Sequence, residues 1–141
     1  RDWLDSRWDI GHLVNITFGK EWQREKTATL TRTIGVGLRS VWAGGPREAI
    51  IDVASSSVAG ETIVDETQGY KIRSADYFRI DLRVYWKRNL GDRRNSTFAL
   101  DIQNITGQEN LSYHFYDPLT KQVETKFQLG PIPNFSWRME F

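Results

Sequence analysis

The side chains that could do chemistry in this 141-residue chain are few and poorly arranged for it. Its two histidines, His12 and His114, lie far apart, and neither has a metal-ligand spacing or a third ligand in view. Three carboxylates, Asp52, Asp65 and Glu66, fall in one polar stretch, "AIIDVASSSVAGETIVDETQGY". An acid/base pair needs a defined separation and shifted pKa values, and the stretch signals neither, so polar loop residues are the bland alternative. No serine has a base nearby. Gly35 and Gly37 in "GVGLR" sit inside a strand pattern, whereas a phosphate-binding loop must open a helix. They read as room for a bend or a close neighbour. With no Cys, disulfides and thiolate metal sites are excluded. The expectation is a protein that is not an enzyme, with no metal and no cofactor.

A different set of polar residues has a regular spacing. Arg79, Asp81, Arg83 and Lys87 alternate with apolar residues, as do Asp101 and Gln103, and then Arg138 and Glu140. Period 2 is the mark of an extended chain with two unlike faces. The charged face is either a lumen wall that guides a solute or contacts another domain, or a solvated face whose charges pair for solubility.

The elements that must carry these residues are strands. Five are expected, over about 12–22, 27–42, 77–89, 96–106 and 134–141, all antiparallel. In the first, Val14, Ile16, Phe18 and Trp22 oppose Asn15, Thr17 and Glu21. In the second, Leu30, Ile34, Val36 and Leu38 oppose Thr29, Thr31, Thr33 and Arg39, with "QREKT" as the turn between the two. Lys20 and Arg32 interrupt the apolar faces near that turn, where a long side chain can reach past an apolar band. In the third, Phe78, Ile80, Leu82, Val84 and Trp86 form one face. Phe98, Leu100 and Ile102 do so in the fourth, and Phe135, Trp137, Met139 and Phe141 in the fifth. Pairing Trp86 with Phe98 would put Arg83 directly across from Asp101.

Turns after the first and third strands are short, and the connections 43–75 and 107–133 are long. The second of these is expected to contain a short hairpin about "DPLTK". Its aromatics either grip a ligand or pack the loop down. Trp22, Trp86, Phe98 and Phe141 cluster toward the short-turn end; Trp42, Tyr77 and Phe78 toward the long-loop end. Short turns on one side, long loops on the other and two aromatic girdles are the pattern of an outer-membrane β-barrel. No run approaches the roughly 18 apolar residues of a membrane helix, a test that barrel strands never meet. A net charge of +1 gives no general case for nucleic acid. The expected fold is all-β, an antiparallel up-and-down transmembrane barrel of which these are the last ~5 strands. The chain carries no signal peptide, and its single Met is residue 139. It therefore reads as a piece of a longer protein, residues 1–141 being the C-terminal part of the barrel domain.

The ordered pieces "WDIGHLVN", "GVGLRSVWAGGPREAIID", "DYFRIDLRVYWKRN", "ALDIQNITGQEN", "YDPLTKQ" and "QLGPIPNFSWRMEF" resemble the C-terminus of TonB-dependent outer-membrane receptors, especially those of the Bacteroidetes lineage. The likeness is densest from Asp76 to Phe141. It implies a barrel of roughly 22 strands around an N-terminal plug, neither the plug nor the first part of the barrel being among these residues. It also implies a periplasmic TonB-type coupling protein engaged through the missing N-terminal region. Residence in the bacterial outer membrane, energy-coupled uptake of an iron chelate, glycan, peptide or cobalamin, and a surface lipoprotein as a further candidate partner follow from the same likeness. Phe135, Trp137, Met139 and Phe141 match the aromatic-rich terminal strand that the barrel-assembly machinery recognises. Two other readings stand beside it. One is a soluble antiparallel barrel or sandwich that binds an apolar ligand. The other is an outer-membrane barrel enzyme, which would need a nucleophile and base clustered at one rim.

Overall fold

The computed structural model describes residues 5–27, 30–89, 91 and 94–141, with the backbone alone of Lys26 and Thr27. In chain order the elements are β1 (Leu13–Thr27), β2 (Leu30–Ala43), β3 (Arg47–Glu48), β4 (Ile50–Ile51), the helix α1 (Val53–Ala59), β5 (Val64–Asp65) and a 3₁₀ turn (Glu66–Gln68). Then come β6 (Ile72–Arg73), β7 (Tyr77–Asn89), β8 (Asn95–Gln103), β9 (Leu111–Asp117), β10 (Gln122–Phe127) and β11 (Ile132–Glu140). The fold is all-β and antiparallel. Five long strands form one sheet in the order β1-β2-β7-β8-β11, so every neighbour in the sheet is also the next long strand along the chain.

Two compact units divide the chain. One, the sheet unit, comprises Asn15–Val41, Arg79–Gln108 and Gly130–Phe141. Register there follows the side-chain alternation. Trp86 pairs with Phe98 and Arg83 with Asp101; on the far side of β8, Phe98 pairs with Trp137 and Leu100 with Phe135. Apolar residues therefore line up on one face and polar ones on the other, as a two-residue period requires.

Strand limits depart from the sequence-based expectation at three places. "QREKT" carries no Gly or Pro to break an extended chain, and β1 runs on through it to Thr27; β2 begins at Leu30. β8 ends at Gln103 because Asn104 takes a left-handed conformation (φ 52°), which Asn tolerates better than most residues. β11 begins at Ile132 and ends at Glu140, so Phe141 lies just past the strand. The turn after β7 is an Asx turn, in which Asn89 Oδ1 accepts the Gly91 N–H at 2.9 Å. Thr29, placed on the polar face from sequence, lies outside the described residues.

The other unit comprises Arg1–Val14, Trp42–Phe78 and Glu109–Leu129. It is built from what sequence marked as long connections, and they are ordered. Three small antiparallel pairs, β3 with β6, β4 with β5 and β9 with β10, form within it. The β9–β10 hairpin turns at "DPLT", where Asp117 accepts from the N–H groups of Leu119 (2.9 Å) and Lys121 (2.8 Å). The helix α1 starts on Asp52, whose carboxylate caps Ser55 N–H at 3.1 Å, and ends on Gly60 in the left-handed region.

Candidate functional site

The polar face of the sheet carries several separate hydrogen-bonded groups. Arg83 Nη1 donates to Asp101 Oδ1 across the β7–β8 pair at 3.2 Å. Arg79 reaches Asp81, two residues along the same strand face, through Nη2 and Nε at 3.0 Å each. Asp81 also accepts the Asn104 N–H at 3.0 Å, which anchors the turn at the end of β8. Tyr85 lies across β2 and donates its hydroxyl to Glu21 on β1. It can do so because Gly35 lies under the ring: a Cβ there would come within 2.2 Å of Tyr85 Cε1. The strand pattern marks Gly35 as room for a bend or a close neighbour, and the structure shows a close neighbour, Tyr85.

A groove of about 860 Å³ opens on this face, and its lining includes Glu21 of β1, Thr33 of β2, Tyr85 of β7, Thr97 of β8 and Arg138 and Glu140 of β11. The groove is thus bordered by residues of all five strands. A second groove of about 510 Å³ is bordered by Arg39, Asp81, Arg83, Asp101, Gln103 and Asn134. The candidate wall residues Arg79, Asp81, Arg83, Asp101, Gln103, Arg138 and Glu140 thus share one polar, mixed-charge surface. It can hold a polar solute through hydrogen bonds.

The apolar face is exposed. Phe18 is 66% accessible, Phe135 69% and Trp137 61%, alongside Ile16, Trp22, Ile34 and Leu38. Among the described residues the buried apolar side chains are Ala99 and Tyr116, and Ala99 lies on the polar side of β8. Trp86, Phe98 and Trp137 form an aromatic row across three strands. Their centroids are 5.9 Å and 5.7 Å apart, with the planes of the second pair almost parallel at 2°. Trp137 Nε1 donates to Ser96 Oγ at 3.1 Å, so the polar atom of this exposed ring is satisfied within the sheet. Met139 pairs with Ser96 one step further toward the short-turn end.

No protein-family model, no curated protein and no solved structure matches the chain.

In the loop unit, the carboxylates considered for acid/base work are occupied as caps. Asp52 caps α1; Asp65 accepts from Thr67 N (3.0 Å), Thr67 Oγ1 (2.5 Å) and Gln68 Nε2 (2.8 Å). These bonds hold both carboxyls below their ordinary value, the Ser55 and Thr67 hydroxyls being the leading causes. Glu66 is an exposed residue of the 3₁₀ turn. His12 stacks edge-on against Trp42, with centroids 4.5 Å apart. His114 Nδ1 lies 2.6 Å from Glu48 Oε2, while Ser74 Oγ donates to the other oxygen at 2.7 Å. Tyr77 opens β7 half-buried.

Sequence reasoning missed the strongest anchors of this unit. Arg47 and Arg73 face each other across β3 and β6, and both donate to one oxygen of Asp9, at 2.8 and 2.7 Å. Arg47 also donates to Asp5 at 2.8 Å. Asn110 is 1% exposed, and its amide accepts from Phe78 N (2.9 Å) and donates to Phe78 O (2.8 Å). Such pairings depend on residues far apart in sequence, and no local spacing announces them.

Proposed function

We propose that the chain is a C-terminal arc of an outer-membrane β-barrel of the TonB-dependent receptor kind, acting in energy-coupled nutrient uptake. The observation that carries this reading is the reversal of the usual layering. The apolar face of the sheet is exposed along its length, while the hydrogen-bonded grooves lie on the polar face. Monomeric soluble proteins rarely expose contiguous apolar patches beyond a few hundred Å², and lipid covers such a face in a barrel. The strands, of 9 to 15 residues, are long enough to cross a bilayer at a tilt. In the described sheet β1 and β11 are edge strands. Lipid cannot satisfy unpaired backbone groups, so further strands must close the barrel.

On this reading Arg83, Asp101, Arg138 and Glu140 belong to the lumen wall. Phe135, Trp137, Met139 and Phe141 are the apolar side of the strand read by the assembly machinery. A coupling protein, a plug and a surface lipoprotein belong to the whole receptor, whose cargo is an iron chelate, glycan, peptide or cobalamin. A soluble barrel for an apolar ligand would need its groove on the apolar face, where none of the grooves described here opens.

Fractionation of cells making the intact protein tests the proposal. Recovery in the outer membrane, released by detergent and not by salt or alkali, is expected. Recovery in the aqueous periplasmic fraction without detergent overturns it.

A further inference from the structure

Charge on the apolar face of the described sheet is of one sign and, apart from Lys20 at the middle of β1, lies toward one rim. On β1, Lys20 and Arg24 share the side of Trp22, since Glu21 between them points to Tyr85 on the other face. Arg32 of β2 lies three residues from Gly35, whose missing Cβ points at Tyr85, so Arg32 too is on the apolar side. Arg88 of β7 follows Trp86 in the alternation and pairs with Ser96, as Trp86 does with Phe98. The acidic residues of the described sheet strands, Glu21, Glu25, Asp81, Asp101 and Glu140, all fall on the polar side by the same alternation.

Three of these cations lie side by side. A Cβ on Gly37 would come 4.0 Å from Arg83 Cβ, and one on Gly35 would meet the Tyr85 ring. That sets β2 antiparallel to β7 with Gly37 across from Arg83, and the same count sets Arg32 across from Arg88. Gly19 of β1 lies beside Val36 O of β2. Going toward the turn from there, Arg24 and Arg32 are reached five and four residues on. Arg24, Arg32 and Arg88 therefore make a row across three adjacent strands, beside Trp22 and Trp86.

Like charges facing each other across strands destabilise a sheet. The loop unit meets this problem with Arg47 and Arg73, and meets it by placing the Asp9 carboxylate between them. The row on the sheet has no such carboxylate: none of its three arginines has an ion-pair partner among the described residues, and Arg88 lies over the Trp86 ring at 5.7 Å. Guanidinium forks match phosphate oxygens in pairs, and Trp marks the depth at which acyl chain gives way to headgroup. We propose that Arg24, Arg32 and Arg88 form a binding site for the phosphate headgroup of an anionic phospholipid in the leaflet at the short-turn rim. The inference rests on the barrel reading above and specifies the lipid that one part of its surface takes.

The test uses the intact protein in neutral detergent, exposed to equal amounts of phosphatidylglycerol and phosphatidylcholine. Retained lipid is counted by native mass spectrometry. Phosphatidylglycerol should be retained about tenfold over phosphatidylcholine, given what each cation contributes near an anionic surface, and that preference should collapse at high salt. The triple variant Arg24→Gln, Arg32→Gln, Arg88→Gln should bring the ratio near one. Arg24→Lys, Arg32→Lys, Arg88→Lys should keep part of it. Heat-modifiable electrophoretic mobility reports whether each variant is folded; if the Gln variant is not, the wild-type ratio and its salt dependence decide. A wild-type ratio near one, or an unchanged ratio in the folded Gln variant, overturns the proposal and leaves the barrel reading intact. So does inorganic phosphate that competes as well as the lipid, since the site would then serve a free anion. Failure of the barrel reading is distinct, because the protein would then be recovered without detergent.

Discussion

Tyr85 occupies the space that a side chain on Gly35 would need, and from there its hydroxyl reaches Glu21 one strand further on. One ring thus ties three strands together on the polar face. Gly35→Ala puts a methyl group within 2.2 Å of the ring and forces it off that position. The expected cost is about 1–3 kcal/mol, as for other overpacked sites. In a Tyr85→Ala background the same change should be nearly neutral, giving a coupling on the order of 1 kcal/mol or more. Denaturant unfolding of the four proteins in a double-mutant cycle measures it, and additive effects would mean that ring and glycine do not meet.

The two faces should respond oppositely to charge. Leu100 lies on the apolar side and Ser136 on the polar side of the same β8–β11 pair. Leu100→Arg should cost about 2–4 kcal/mol if lipid covers the apolar side near mid-depth, and Ser136→Arg about 1 kcal/mol or less. Folding yield into vesicles, followed by electrophoretic mobility without heating, separates them. Equal tolerance at both positions would count against a lipid-facing surface.

Asn110 acts as a one-residue strand toward Phe78, giving and receiving one hydrogen bond each. Asn110→Ala strands a half-buried N–H and C=O, a loss of about 2–3 kcal/mol. Asn110→Asp should do no better, because a carboxylate cannot donate to Phe78 O. Hydrogen exchange at Phe78 reads this directly, and unchanged protection in both variants would refute it.

Acid should loosen the loop unit in a defined direction. The Arg47 guanidinium, bonded to Asp9, leads in holding that carboxyl below its ordinary 3.8, with the Arg73 charge adding to it against partial desolvation. A carboxyl whose folded pKa is depressed contributes stability above its unfolded value, and that contribution is lost as pH falls through the folded one. Protection of residues 5–14 from proteolysis should therefore hold at neutral pH and fall off below about pH 4. Asp9→Asn should lower protection at neutral pH and flatten this dependence. A variant that keeps the wild-type acid profile would remove Asp9 as its source.

What could be read from sequence was whatever repeats every two residues. The faces of β7, β8 and β11, the meeting of Trp86 with Phe98 and the resulting opposition of Arg83 and Asp101 all follow from alternation plus one turn. The run of β1 through "QREKT" was harder to read, because charged residues near a turn look the same whether extended or looped. The loop unit was opaque for another reason. It is tied together in part by single contacts such as Arg47 with Asp9 and Glu48 with His114, made between segments dozens of residues apart. Such contacts are selected by shape and charge after the chain has folded back, and composition carries no trace of them.

The five long strands lie side by side in the order in which they occur along the chain. A sheet with that property can grow like a zipper, each strand docking on the one made just before it, with no need to thread between strands already in place. Every intermediate then presents the same kind of open seam at its leading edge, and the seam carried by β11 is simply the latest. On the barrel reading proposed above, the final act of such a process is a ring closure, when the last seam meets the first.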